Sequence, residues 1–182
     1  MERGSRWLTP WGNPRLIHPK DITILNSLLK RSITFLATGF GAGYAPFAPG
    51  TFGTLAGLPL WWLLQDLSIV IYLLVVILLF VAGIPVCGWM SRHLGVEDAP
   101  VIVWDEIVGL LVTLFLVPAG WPWVILGFLL FRVFDIIKPW PIGLIDSKIK
   151  GGLGIMLDDL VAALFALTLL QLIYWQFGSS LF

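Results

Sequence analysis

"LSIVIYLLVVILLFVAGIPV", residues 67–86, runs for twenty positions without a charge. A helix of that length covers roughly 30 Å, the hydrocarbon thickness of a bilayer, so the stretch reads as a membrane span. The composition agrees. Of the 182 residues, 58% are apolar and only 12% charged, whereas a soluble domain carries about 25% charged residues. Ten tryptophans suit amphipathic rings seated at a bilayer interface. Strand signals are weak, and the expected fold is all-α, a multi-helix integral membrane bundle. A second span is expected from about Ile155 to Phe177. Shorter helices are expected over Val101 to Val117 and Trp123 to Ile137, divided at Pro118-Ala119-Gly120, with "KPWPIGLIDSKIKGGLG" (138–154) as a polar loop.

Residues 1–20, rich in Pro, Gly and Arg, read as a loose tail, and residues 21–182 as one helical membrane domain. Before Ile33 stand Arg3, Arg6, Arg15, Lys20, Lys30 and Arg31 against Glu2 and Asp21, which argues for a cytoplasmic N-terminus. The long polar lead argues against a signal peptide. In "PKDITILNSLLKRS", Ile22, Leu25, Leu28 and Leu29 fall at helical spacing, as in an amphipathic helix lying on a membrane surface. The body of the chain has no basic patch, so no nucleic-acid partner is expected. Cys87, in an apolar setting without a neighbouring His or acid, reads as a small buried hydrophobe. His18 and His93 lie in polar stretches and read as surface residues.

Between the amphipathic segment and the first span lies "TGFGAGYAPFAPGTFGT" (38–54), with five glycines and two prolines. These break regular structure and suggest a re-entrant or interfacial loop, with helix resuming near Thr54. Thr38, Gly39, Gly41, Thr51, Gly53 and Thr54 are candidate phosphate-binding positions. Glycine lets backbone N–H groups approach an anion, and hydroxyls near a helix start add donors. The spacing fits neither a dinucleotide fingerprint nor a Walker loop, which needs a Lys after its last Gly.

Three apolar segments are interrupted by acids: "WDEIVG" (104–109), "FRVFDIIKPW" (131–140) and "GIMLDDLVAALFALTLL" (154–170). A charge in mid-membrane costs about 2.5–3.5 kcal/mol on insertion scales. Asp105, Glu106, Asp135, Asp158 and Asp159 therefore need a wet helix end or positive compensation. Singly, each has an ordinary explanation. Asp158 and Asp159 could favour a helix N-terminus, Asp135 could pair with Arg132 and Lys138 at three-residue spacing, and Asp105 with Glu106 could mark a membrane boundary. Together, on three helices, they point to a divalent cation. Mg²⁺ takes hard oxygen ligands, and no Cys/His set suits zinc.

The blocks "ATGFGAGYAPFAPGTFGTLAGLPLWW", "VIVWDEIVG", "FRVFDIIKPWPIGLID" and "GGLGIMLDDLVAALFA" resemble, in collinear order over about residues 35–170, the phosphatidylglycerophosphatase A family. The resemblance implies Mg²⁺-dependent hydrolysis of the phosphomonoester of phosphatidylglycerophosphate, giving phosphatidylglycerol. It places that chemistry at the cytoplasmic face of the bacterial inner membrane, with the lipid as partner. Asp105, Glu106, Asp135, Asp158 and Asp159 are then expected to hold Mg²⁺, with Arg132 and Lys138 balancing charge on the phosphate oxygens. Water is the expected nucleophile, with an aspartyl-phosphate intermediate as the other route. A CDP-alcohol phosphotransferase would need a longer run of spaced aspartates after a D-G pair, which is absent. An ion-coupled transporter would also use intramembrane acids, but the chain lacks repeated halves. A structural subunit would give no reason for clustered acids.

Overall fold

The computed structural model describes residues 19–117 and 120–181. It divides into two compact units, residues 1–32 and 33–182. Of the first, the described part is the leading stretch of α1 (Pro19–Ala37). The second holds the rest: a 3₁₀ turn (Ala42–Tyr44), α2 (Pro49–Leu64), α3 (Ile69–Leu94), α4 (Trp104–Thr113), α5 (Trp121–Ile137), α6 (Ile142–Lys148) and α7 (Gly151–Leu181). Among the described residues there is no strand, as the sequence leads one to expect.

The element ends have local causes. Ser68 caps α3, its Oγ accepting from Ile71 N at 3.5 Å, and Gly95 at φ 69° ends it in the left-handed region. α2 opens on Pro49, whose fixed φ suits a first helical position. α4 is shorter than Val101–Val117. Residues 101–103 run outside the helix, and Val103 N donates to Ala37 O at 2.9 Å. The span from 138 to 154, expected as a polar loop, contains α6, and α7 starts at Gly151, ahead of Ile155. The apolar Ile142, Leu144 and Ile145 outweigh the loop-like flanks, and Ile142 is fully buried. The N-terminal tail, apart from Pro19 and Lys20, lies outside the described residues.

α4 is the axis of the second unit. Every residue of it except Glu106 is buried, and α2, α3, α5 and α7 all pack against it. Small residues let these helices meet closely. A Cβ on Gly57 would stand 3.1 Å from Leu110 Cδ2 and 3.4 Å from Ile107 Cα, and one on Gly53 would fall on Val103. A Cβ on Gly109 would fall on the Phe131 ring, and one on Gly88 would stand 3.2 Å from Gly152 N. So α2 meets α4 at Gly53 and Gly57, α5 meets α4 at Gly109, and α3 crosses α7 at Gly88 and Gly152.

Two helices are long and apolar enough to cross a bilayer, Ile69–Leu94 and Gly151–Phe177, with mean hydropathy 3.1 and 2.1. Only 17% of the apolar window of α3 is buried, and Val70, Leu74, Ile77, Leu78 and Val81 project outward. The core helix of a soluble protein would hide such residues. α3 presents them, as a lipid-facing helix does.

If the glycines set the helix spacing, Gly53→Leu should force α2 off α4. Overpacking of this kind costs about 1–3 kcal/mol. The expected result is a lower thermal unfolding midpoint in detergent, with Gly53→Ala falling between it and wild type.

Candidate metal and phosphate site

The N-terminus of α4 carries Asp105 and Glu106 in its first turn. The fold brings to them Asp159 from α7, and Arg132 and Asp135 from the last turns of α5. Asp105, Glu106 and Asp159 each offer a carboxylate oxygen, and the three oxygens lie within 4.8 Å of one another. Asp105 and Asp159 are 6% and 3% exposed. On each of the three acids one buried oxygen has no hydrogen-bond partner: Asp105 Oδ1, Glu106 Oε2 and Asp159 Oδ2. Buried polar atoms are nearly always satisfied, so a partnerless oxygen on each of three acids whose carboxylates converge from two helices marks a place built for a partner. The ligand type suits a hard divalent cation such as Mg²⁺.

Without a cation the acids oppose one another. Burial, with Glu106 adjacent, pushes the Asp105 carboxyl well above the usual carboxylate range. Burial likewise raises Glu106 to about 8, against the opposing pull of Asp105 and Arg132.

Arg132 supplies part of the compensation. Its Nη1 donates to Asp135 Oδ2 at 2.5 Å and to Thr54 Oγ1 at 3.4 Å, and stands 3.9 Å from Glu106 Oε1. Asp135 in turn lies against Asp159. Lys138 goes elsewhere. The expected pairing with Asp135 is absent from its bonds, and its Nζ donates to Asp158 Oδ2 at 2.5 Å and Asp146 Oδ1 at 2.9 Å. Burial alone would lower its pKa, but the bonds to Asp158 and Asp146 outweigh that and hold it above the usual lysine value.

The five acids singled out in the sequence thus separate. Asp105, Glu106 and Asp159 converge, Asp135 joins them through Arg132, and Asp158 turns to Lys138. Asp158 and Asp159 sit about two turns inside α7, beyond the reach of its N-terminal dipole. Sequence reasoning missed Asp146 and Asp98. Both sit beside Lys138, where with Glu97, Ser147 and Lys150 they line a cavity of about 300 Å³. The signal for Asp146 was available, since it closes the block "FRVFDIIKPWPIGLID" and lies on α6.

The expected phosphate positions divide as well. Thr54 is buried, donates to Gly50 O at 2.8 Å and accepts from Arg132. Thr51 lies in the first turn of α2, half-buried. Thr38 is buried and donates to Phe35 O. Gly39 and Gly53 face Val103, so their missing side chains leave room for the segment that leads into α4. Gly41, at φ 99°, has open space around it. Gly50, outside the expected set, abuts the site: a Cβ there would fall on Glu106 Oε1 and stand 3.0 Å from Arg132 Nη2.

Cys87 is fully buried with its Sγ 3.8 Å from Met156 Sδ, and His93 is exposed and stacked on Trp89. His18 lies outside the described residues. A second cavity of about 490 Å³, lined by Trp61, Trp62, Tyr72, Leu114 and Trp121, lies at the far end of α4 from the acids.

The sequence profile of the family described as phosphatidylglycerophosphatase A matches residues 35–174. The chain is 41% identical over 167 residues to phosphatidylglycerophosphatase A of Escherichia coli, covering 89% of this chain and 97% of that protein. It is 42% identical over 160 residues to the Haemophilus influenzae protein of the same name, covering 86% and 95%. A protein of Bacteroides thetaiotaomicron, named for a phosphatidylinositol-3-phosphatase activity, is 38% identical over 151 residues, covering 79% and 94%. No solved structure matches the chain.

Arg132→Ala would leave Glu106 and Asp135 without their shared cation. Removing one partner of a buried ion pair costs about 3–5 kcal/mol. The expected outcome is a large drop in the unfolding midpoint of the metal-free protein, partly restored when Asp135→Asn is added.

Proposed function

The chain belongs to the phosphatidylglycerophosphatase A family and is a phosphatase, and from this we propose that it hydrolyses phosphatidylglycerophosphate to phosphatidylglycerol and phosphate with Mg²⁺. The observation that carries the reading is the convergence of the Asp105, Glu106 and Asp159 carboxylates, each with one partnerless buried oxygen, beside Arg132. A phosphatase of this lipid needs a hard cation and a fixed positive group at one place, and these residues fit both needs. Family membership also decides against the transporter reading.

Asp105, Glu106 and Asp159 would hold Mg²⁺. When bound, the ion polarises the phosphoryl oxygens and makes a coordinated water acidic enough to act near neutral pH. Arg132 offers a planar fork to the phosphate oxygens, and its bonds to Asp135 and Thr54 fix where that fork points. Gly50, without a side chain, leaves the phosphate room beside Glu106 and Arg132. Thr51, in the first turn of α2, adds a hydroxyl where a helix N-terminus favours an anion. Water attacks phosphorus, the bond to the glycerol oxygen breaks, and that oxygen leaves protonated as the alcohol. Cys87 is buried against Met156 and His93 is on the surface, so direct attack by water suits the groups at hand.

The lipid setting fits the same chemistry. The outward side chains of α3 suit acyl chains. The acids of α4 and α7 cluster at one end of the helices, and Trp62, Trp121 and Trp175 stand exposed toward the other. We place the chain in the bacterial inner membrane as an integral helical bundle, with the acids at the cytoplasmic face. In this reading residues 21–182 form the phosphatase domain, and the glycine-rich segment lies at or dips into the membrane interface. The relative named for a phosphoinositide shares the substrate class, a lipid phosphomonoester, and differs in headgroup.

Purified protein in detergent should release phosphate from phosphatidylglycerophosphate with Mg²⁺, stop with EDTA and resume when Mg²⁺ is restored. Asp105→Asn and Asp159→Asn should each lower kcat by about 10²–10³ or more with helical content unchanged by circular dichroism. Release that survives chelation, or full activity in both variants, would sink the metal assignment. Faster release from phosphatidylinositol 3-phosphate than from phosphatidylglycerophosphate would move the headgroup assignment instead.

A further inference from the structure

Next to the three convergent acids lies a second group of carboxylates, Asp158, Asp146 and Asp98, that already contains a cation. Lys138 Nζ donates to Asp158 Oδ2 at 2.5 Å and to Asp146 Oδ1 at 2.9 Å. These carboxylates come from α7 and α6, so the ammonium is coordinated from two elements, much as a metal would be. Asp98 also interacts with Lys138 and Asp146, and the cavity lined by Asp98, Lys138 and Asp146 opens beside it. Asp158 is 3% exposed, and its second oxygen, Oδ1, has no partner. Lys138 is its one charge-balancing partner among the described residues.

The backbone adds an independent sign. Lys138 is the C-cap of α5 and stands at φ 44°. A helix that needs only to stop in the left-handed region takes glycine there, because a Cβ is disfavoured. Strained positions of this kind concentrate at functional sites. Here the strained turn carries the chain from α5 toward α6 and delivers the ammonium between Asp146 and Asp158.

We propose that Lys138 is a resident cation that takes the place of a second metal ion, so that the centre binds a single divalent cation, at Asp105, Glu106 and Asp159. The proposal rests on the reading of those three acids as the metal site. Lys138 is then a positioning residue: it holds Asp158 away from Asp159 and keeps the adjacent carboxylate from drawing the ion out of place. Two neighbouring aspartates on α7 have separate cations, one exchangeable and one covalently part of the chain.

The test counts Mn²⁺ bound by the purified full chain in detergent, by equilibrium dialysis and by electron paramagnetic resonance of the free ion. Wild type should bind one Mn²⁺ per chain. Lys138→Gly relieves the backbone at φ 44° and empties the place between Asp146 and Asp158, so it should bind two. Its unfolding midpoint, lowered without metal, should rise again as the second ion binds. Lys138→Arg keeps the charge and should bind one. Asp105→Asn combined with Lys138→Gly should bind one, at the new place. Two ions on wild type, or one on a folded Lys138→Gly, would overturn the proposal. No ion on wild type would overturn the underlying metal reading, a different failure. Should Lys138→Gly not fold, Lys138→Met, which keeps the length of the side chain and removes its charge, takes its place: two ions are expected, and one on the folded variant would overturn the proposal.

Discussion

Carboxylates held among apolar helices govern this structure. Out of water, each must be neutralised, bonded or matched by a positive charge. Asp105, Glu106, Asp135, Asp158 and Asp159 exceed what the nearby side chains can offer. Arg132 and Lys138 meet part of the demand. The remainder appears as partnerless oxygens, one each on Asp105, Glu106, Asp158 and Asp159 among the described residues, and these acids stand together. The imbalance is local, and that locality turns an electrostatic cost into a binding site.

Much of this was legible in the sequence, and the rest was hidden for physical reasons. The twenty-residue apolar run declared α3 through length alone, but the helix runs on past Val86 through the polar Ser91–His93 to Leu94, where Gly95 ends it. The acids were visible because charge in an apolar segment is costly wherever it lies. Their division was not. Asp158 and Asp159 are neighbours in the chain, yet an α-helix turns about 100° per residue, so they face different partners. The partner of Asp158 was recorded in the same quoted block as Asp135, but only α6 brings Asp146 back to Lys138. Locally that stretch reads as a loop, because Pro139, Pro141 and the glycines at 151 and 152 outweigh its few apolar residues. The glycine-rich segment was misweighted in a similar way. A glycine that admits an anion and one that admits a neighbouring helix look alike until the neighbour is known, and Gly39 and Gly53 have Val103 as theirs.

Close packing and charge placement are linked here. In lipid, helices gain little from hiding apolar surface against one another, and they associate through tight contact at small residues. Gly53 and Gly57 seat α2 on α4, while Gly88 and Gly152 set the crossing of α3 and α7. The second crossing lies about two turns before Asp158 and Asp159, so a backbone contact sets the depth at which both acids stand. The first brings Thr54 and Gly50 to Arg132. The opposite end of α4 carries no such charges. There Tyr72 Oη donates to Leu111 O at 2.7 Å and Gln171 Nε2 to Leu116 O at 2.9 Å, closing the helix with neutral groups.

The crossing of Gly88 with Gly152 also fixes the angular register of α7. One residue inserted between Gly152 and Asp158 would rotate both acids by about 100° and advance them by about 1.5 Å. Asp158 would swing away from Lys138 and Asp159 away from Asp105, and no side-chain rearrangement could return both at once. Beyond Gln171 the helix has fewer obligations, with Trp175 and Phe177 largely exposed. Change along this one helix should therefore be lopsided in descent: length conserved to the residue over its first turns, and drifting freely near its end.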